Sequence, residues 1–276
     1  MVYLILAFCS SAMVSIVMRL SEGRIRGKLG MLVANYVVCT LAAAWEAGFG
    51  SLFPREPGLG LTLAMGCFNG CLYLGGFVLL QRNVGRSGVV LSSTFMKLGL
   101  LVTMVISMVF FGERPGAVQL LGFVLAVAAI LLINERGGKG RFDPRLLVLM
   151  VTGGLCDGMS KIFEEVGPGA LSGQFLFYTF LVALGLCLFL AWRAGELPGL
   201  REWGYGIAIG IPNYFSCMLL LRSLASVPGV IAYPVYSVAG ILIVTAAGVL
   251  LFRERLSRRQ MVAMGMILLS LVLLNL

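Results

Sequence analysis

Two charged side chains, Lys97 and Asp157, stand inside long apolar runs. An ionisable group near the centre of a bilayer costs a few kcal/mol or more, so such a residue is read first as functional. Lys97 lies about nine residues, or ~13 Å at ~1.5 Å per residue, into the apolar window 88–111. Asp157 lies about twelve residues, or ~18 Å, into the window 145–160 from the same face. With depths only ~5 Å apart, the two side chains can pair. Two readings stay open: a structural ion pair, or a site that binds substrate or carries a proton. Lys161, one turn beyond Asp157, either pairs with it at i,i+4 or snorkels to the headgroups.

Other polar groups gather at comparable depth: Ser11 and Ser15, Asn69 and Tyr73, Ser93 and Thr94, Asn213 and Tyr214, and Tyr233, Tyr236 and Ser237. Asn and Tyr in lipid need partners, so helix–helix hydrogen bonding is the plain reading of any one of them. As a group, Ser15, Asn69, Tyr73, Ser93, Asn213, Tyr214, Tyr233 and Tyr236 join Lys97 and Asp157 as candidate substrate-binding or proton-coupling residues. Pro212 and Pro234 are expected to break their helices near mid-membrane and free carbonyls. Gly66-x-x-x-Gly70 and Gly206-x-x-x-Gly210 read as close-packing faces. Glu46 reads as interfacial.

Composition dictates the solvent for these residues. Of 276 residues, 59% are hydrophobic and 12% charged, against about 25% charged in an average soluble domain. A globule in water cannot hide so much apolar surface. Ten apolar windows of roughly 20 residues fit: 2–18, 30–48, 59–80, 88–111, 115–134, 145–160, 171–192, 203–221, 229–252 and 258–276. The loops between them leave no room for a ligand-binding ectodomain or a nucleotide-hydrolysing domain, and a secreted enzyme is excluded. Met1–Met18 lacks a basic leader and a small-residue cleavage site, so it is expected to be a retained span. With no histidine, His-based catalysis, zinc and haem ligation are excluded. The seven cysteines all fall in apolar stretches without a C-x-x-C pair and read as small buried hydrophobes. No cofactor and no metal are expected.

Sixteen of the 21 basic residues lie in odd-numbered loops and four in even-numbered ones, Lys97 being the last. Basic loops stay cytoplasmic, so both termini should face outward. Scattered in this way, the +9 net charge records topology, not a nucleic-acid groove.

An internal repeat runs at an offset of 141 residues, pairing Tyr73 with Tyr214, Gly88 with Gly229, Gly99 with Gly240, Glu113 with Glu254, Gln119 with Gln260 and Asn134 with Asn275. Arg19 and Glu22 meet Lys161 and Glu164 with one further residue of shift. Five spans per period is odd, so the second copy is inserted upside down, and the loop-charge bias inverts between copies as that requires. The fold expected is an all-α membrane protein of about ten transmembrane helices in two inverted five-helix repeats, 1–135 and 144–276. An inverted repeat places a site at the interface of the copies near mid-bilayer. Glu113 and Glu254, in the G-E-R and R-E-R turns before the last span of each copy, read as caps of the helix that follows.

Ten spans in two halves, each with that Glu-containing turn, resemble the drug/metabolite transporter superfamily, EamA-like branch. The resemblance covers nearly the whole chain. It implies a secondary transporter that exports or imports amino acids, metabolites or drugs by proton-linked or facilitated transport. Members of that family are commonly described with cytoplasmic termini, whereas the loop charges here favour outward ones. A lipid enzyme has no nucleophile elbow or metal motif to support it. A lipid-linked-precursor flippase would need a lateral opening and basic headgroup contacts, and a non-transporting helper subunit would not require Lys97 and Asp157 at mid-depth. The expected partners are a small-molecule substrate and the lipid bilayer, with no nucleic acid, in a monomer or homodimer of the plasma (bacterial inner) membrane. A protease site appended after Leu276 should be cut in intact cells; protection until the membrane is permeabilised would reverse this orientation.

Overall fold

The structure, a computed structural model, describes residues 2–110, 116–134, 144–224 and 229–274. The apolar runs form helices because lipid offers backbone N–H and C=O groups no partner, and a helix satisfies them internally. The first half holds α1 (Val2–Ser21), α2 (Lys28–Ala47), α3 (Leu59–Ser87), α4 (Val89–Lys97), α5 (Leu100–Phe110) and α6 (Ala117–Asn134). The second holds α7 (Pro144–Val166), α8 (Ser172–Ala194), α9 (Leu200–Leu224), α10 (Gly229–Leu250) and α11 (Arg258–Leu273). Since α4 and α5 together make one span, each half contributes five. Seven segments are long and apolar enough to cross a membrane by length and composition, α6 and α10 hold shorter apolar stretches, and α11 takes the fifth place in the second half. Both halves thus exceed the sequence windows at places: α3 runs to Ser87, and α7, whose Gly-broken window ended at 160, continues to Val166.

Helix pairing obeys the repeat. α1 packs on α9 and α10, and α7 packs on α3 and on α4 with α5. α2 packs on α9 and α8 on α3, while α2–α8, α4–α10 and α6–α11 pair each element with its own counterpart. Exchanging the halves turns this set of contacts into itself, as an approximate two-fold axis requires. The caps repeat as well. Gln119 Oε1 accepts from Gly116 N at 3.0 Å before α6, and Gln260 Oε1 accepts from Ser257 N at 2.8 Å before α11. Those positions differ by the same 141 residues, so one local device starts the last helix of each half.

Small residues bring the halves together. A Cβ on Gly66 or Gly70 of α3 would stand 2.8 Å from Tyr178 Cβ or 2.6 Å from Thr179 O of α8. The mirrored pair on α9, Gly206 and Gly210, presses on α2, where added Cβ atoms would stand 2.6 Å from Met31 O and 2.8 Å from Asn35 O. Both G-x-x-x-G faces therefore serve as read, and each serves across the halves.

The prolines do not break their helices. α9 continues through Pro212, and α10 runs over position 234 without interruption. A proline removes one donor only, and neighbouring elements in a bundle re-satisfy what it frees. The break lies at Leu98–Gly99 in the first half, where α4 stops and α5 starts after a tight turn in which Leu101 N donates to Leu98 O at 3.0 Å. Glycine is a poor helix former, by about 1 kcal/mol against alanine. Here it also admits α7, since a Cβ on Gly99 would stand 2.5 Å from Gly154 N. Thr103 Oγ1 donates to Gly154 O at 3.0 Å and fixes the crossing.

This crossing has a stability signature. Gly154→Val should lower the unfolding midpoint by an amount equivalent to about 1–3 kcal/mol, the usual cost of overpacking. Gly185→Ala in α8, with nothing within 4 Å of the added carbon, should leave it unchanged or raise it. Thermal unfolding in detergent measures both.

Candidate functional site

A cavity of about 130 Å³ lies between α1, α3, α4, α7, α8, α9 and α10, where the two halves meet. Its surface is mostly apolar, with serine, threonine, asparagine and tyrosine side chains and the charges of Lys97 and Asp157 set into it. Along α9 the lining reaches Leu221, near the end of that helix. Toward the other face it reaches Ser15 in α1 and Ser93 in α4. Among the described residues none of α6 or α11 lines it, so the last helix of each half stands apart.

The structure brings Lys97, Asp157, Asn69, Tyr73, Asn213, Tyr236, Ser93 and Ser15 to this one cavity. Lys97 closes α4 at the helix break, half-buried. Its Nζ donates to Ser11 Oγ at 2.9 Å and sits 3.7 Å from the centroid of the Tyr236 ring. A cation over an aromatic face is held by the ring's quadrupole, worth about 2 kcal/mol when desolvated. Tyr236 OH in turn bonds Ser216 Oγ at 2.8 Å. Lys97 is thus anchored to the first half through Ser11 and to the second through Tyr236.

Asp157 is held differently. It stands one turn beyond Gly153 on α7, and Gly153 and Gly154 are the residues that press against the α4–α5 break. That contact delivers the carboxylate to the cavity alongside Lys97. Among the described residues Asp157 has no hydrogen bond and no ion pair, and its side chain is exposed to the cavity it lines. The direct Lys97–Asp157 pair expected from depth does not form, because Ser11 and Tyr236 take up the ammonium. Nor does Lys161 turn back to Asp157; it reaches Glu165 at 2.9 Å, one turn on.

Tyr73 and Asn213 form a polar tie between the halves. Tyr73 OH donates to Asn213 Oδ1 at 2.9 Å and lies 3.0 Å from Cys217 Sγ, while Asn213 Nδ2 donates to Asn35 Oδ1 at 3.2 Å. The Tyr73 ring stacks on Phe77 with centroids 5.2 Å apart. Asn69 donates to Thr179 Oγ1 at 3.4 Å, leaving its buried Oδ1 without a partner, and the buried Ser93 hydroxyl is likewise unpartnered. Asn69, Ser93 and Asp157 therefore present unused hydrogen-bonding capacity to the cavity.

Tyr214 does not line the cavity. Its hydroxyl donates to Glu46 Oε2, and Arg222 Nη2 meets Glu46 Oε1 at 2.8 Å. The three tie α2 to α9 near their ends, which gives Glu46 a partner on each side. The side chain of Tyr233 lies outside the described residues. Sequence reading also passed over Thr179, Ser216, Cys217 and Ser160, which line the cavity. Ser160 carried a signal in its position three residues after Asp157, but a lone Ser, Thr or Cys in an apolar helix carries none.

Glu254 corrects its expected role. The helix after it, α11, is capped by Ser257 and Gln260. Glu254 instead crosses to the first half, where its oxygens accept from Val89 N at 2.8 Å and Val90 N at 3.2 Å, the start of α4. Arg19 Nε at the end of α1 completes the cluster at 3.4 Å. Two more carboxylates of the second half act on the start of α2: Glu202 accepts from Arg26 N at 2.9 Å and Glu196 from Leu29 N at 3.0 Å. The cavity is thus roofed on this face by carboxylates that cap helices of the opposite half. Glu113 lies outside the described residues.

Ten helical segments in two inverted halves, with charged and polar groups facing a cavity between them, define a multi-pass integral membrane protein with an internal cavity. The EamA-like transporter family model matches the chain twice, over residues 1–135 and 146–276. The chain belongs to that family and is a membrane transporter of the drug/metabolite transporter superfamily. A solved structure titled "Crystal structure of protein" is 17% identical, covers 99% of this chain and 94% of its own, and superposes with a TM-score of 0.61, a likeness of fold. Comparison with curated proteins finds no match.

Removing the roof should be measurable. Losing a helix cap costs about 1 kcal/mol, a factor of roughly five in an equilibrium. In a background without native cysteines, Glu254→Ala should speed thiol labelling of Ser93→Cys from the Arg19 face about fivefold. Unchanged labelling would show that Glu254 does not hold this face closed.

Proposed function

We propose that the chain is a secondary transporter that moves a small polar or amphipathic metabolite across the plasma (bacterial inner) membrane by alternating access, with proton coupling through the cavity. The observation that carries this reading is Asp157: a carboxylate without a protein partner, facing a cavity between inverted halves. A bare carboxylate at this depth is costly unless water, a proton or a cationic group meets it. Lys97, held beside it by Ser11 and Tyr236, offers the complementary charge. Asn69 and Ser93 supply neutral polar contacts, and the apolar walls accept the body of an amphipathic solute. The tie of Tyr73 to Asn213 and the roof of Glu254 and Arg19 are the contacts that must change as the halves, 1–135 and 144–276, rock against each other.

Flux of small metabolites into proteoliposomes, with and without a proton gradient, tests the proposal. Asp157→Asn should fold and lose about tenfold to a hundredfold in flux, the worth of a hydrogen bond to a charged group at ~1.5–3 kcal/mol. The double variant Lys97→Met with Asp157→Leu removes both charges together, so neither is left buried alone. It should fold and lose transport or its dependence on the gradient. Near-normal, gradient-dependent flux in that folded protein would remove both residues from the site.

A further inference from the structure

A second pocket, of about 410 Å³, opens on the basic face, away from the central cavity. Its wall is built from the end of α1, the start of α2, the last turns of α3 and the start of α7. Lys28, Arg82, Arg86 and Arg145 line it, against Glu22 as the single acid. Glu22 is already committed to Lys28, whose Nζ meets it at 2.6 Å. It also lies flat on Gly85, where any Cβ would stand 2.8 Å from Glu22 Oε2. Its charge therefore neutralises Lys28, and among the described residues no carboxylate of the pocket is left for Arg82 and Arg86.

Arg82 and Arg86 stand one turn apart on α3, both exposed, and neither has a carboxylate partner among the described residues. Like charges at i,i+4 repel by a few tenths of a kcal/mol, an arrangement that an anion between them relieves. Asn83, between the two, is 1% exposed. Its Nδ2 donates to Leu79 O at 2.9 Å and to Arg145 O at 3.4 Å, yet its Oδ1 is buried without a partner. An unpartnered buried acceptor calls for a donor. The pocket thus asks for a group that is anionic and also carries a hydroxyl.

We propose that this pocket binds a phosphate-bearing anion with a hydroxyl beside the charge, as the headgroup of an anionic phospholipid presents at this depth. Arg82 and Arg86 hold the phosphate, each side chain offering a planar fork of donors that suits it, and Asn83 Oδ1 accepts from the hydroxyl. Basic pockets between helix ends on the cytoplasmic side are suited to such headgroups, each Lys or Arg near the surface contributing about 1 kcal/mol. The site is separate from the transport cavity, so it stands or falls independently of the transport reading.

The test is binding to the purified full chain in neutral detergent, followed by thermal unfolding and by native mass spectrometry. The probes are phosphatidylglycerol, phosphatidylcholine and inorganic phosphate. Phosphatidylglycerol should bind and raise the unfolding midpoint, with phosphatidylcholine doing neither. R82Q/R86Q should weaken that binding about thirtyfold, the loss of two contributions of ~1 kcal/mol at ~1.4 kcal/mol per tenfold, while R193Q/R201Q, on the same face outside the pocket, should not. Stabilisation by inorganic phosphate that R82Q/R86Q abolishes would assign the same site to a free phosphate group instead of a lipid. On the unaltered chain, binding should fall as salt rises from about 0.1 to 1 M and the screening length shrinks from ~10 to ~3 Å. Salt-independent binding, equal binding of phosphatidylcholine, or undiminished binding by folded R82Q/R86Q would each overturn the proposal.

Discussion

Helices in lipid feel no hydrophobic pull toward one another, so the halves stay together only where backbone can approach backbone. Everything else in this molecule hangs on that constraint. Gly66 and Gly70 let α3 lie on α8, Gly206 and Gly210 let α9 lie on α2, and Gly99 with Gly154 lets the α4–α5 break lie on α7. Each contact joins the first half to the second. Where backbones touch, side chains just beyond the crossing are forced inward. Asp157, one turn after Gly153, and Lys97, two residues before Gly99, are such side chains, and the cavity is the space they share. Their chemistry is a consequence of small residues placed elsewhere.

What the sequence revealed divides along physical lines. Apolar length and loop charge set the spans, because the thickness of lipid is a property of the solvent. The offset of 141 marked Gln119 with Gln260 and Glu113 with Glu254 before any geometry was known. Capping was expected of Glu254, yet Gln260, for which the repeat gave no role, does that work. Gln260 caps the helix it precedes, since that contact spans three residues and is local. Glu254 reaches α4, a partner 165 residues away along the chain, and no local rule announces it. Depth set Lys97 and Asp157 near one level but could not say which way either turned. Ser11 and the Tyr236 ring, from two different helices, decide that. Tyr214 failed as a site residue for the same reason. One residue of helical rotation separates it from Asn213, which reaches Tyr73, whereas Tyr214 turns to Glu46.

The two membrane faces are closed by different means. On the basic face, Glu196, Glu202 and Glu254 of the second half bind backbone N–H groups at the starts of α2 and α4. A helix start presents unsatisfied donors and a partial positive charge, so a carboxylate there is well placed. All three carboxylates come from the second half and the N–H groups they accept from belong to the first, so they tie the halves together on this face. On the other face the described ties include Glu46 with Arg222 and Tyr214, and hydrogen bonds of Gln174 and Tyr178 to the Ser51 and Leu52 carbonyls. The cavity lining runs toward that second face along α9.

Symmetry makes the site, and its violation charges it. At the repeat offset, Gly99 corresponds to Gly240 and Lys97 to Val238. With the one-residue shift that aligns Arg19 with Lys161, Gly154 corresponds to Ala12 and Asp157 to Ser15. Of these pairs only Asp157 with Ser15 sets both members at the cavity; Lys97, Gly240 and Ala12 line it without their counterparts Val238, Gly99 and Gly154. In one crossing Gly99 takes the backbone of Gly154 directly. In the other, the carbon that Gly240 lacks would meet Lys97 Cε at 3.6 Å, ordinary contact distance. The room left on α10 is therefore occupied by the lysine stem, on its way to the Tyr236 ring. A second aspartate at position 15 would set two like charges around a cavity of about 130 Å³, where each raises the cost of burying the other. With Ser15 in that place, Lys97 of one half and Asp157 of the other leave one charge of each sign where the halves meet.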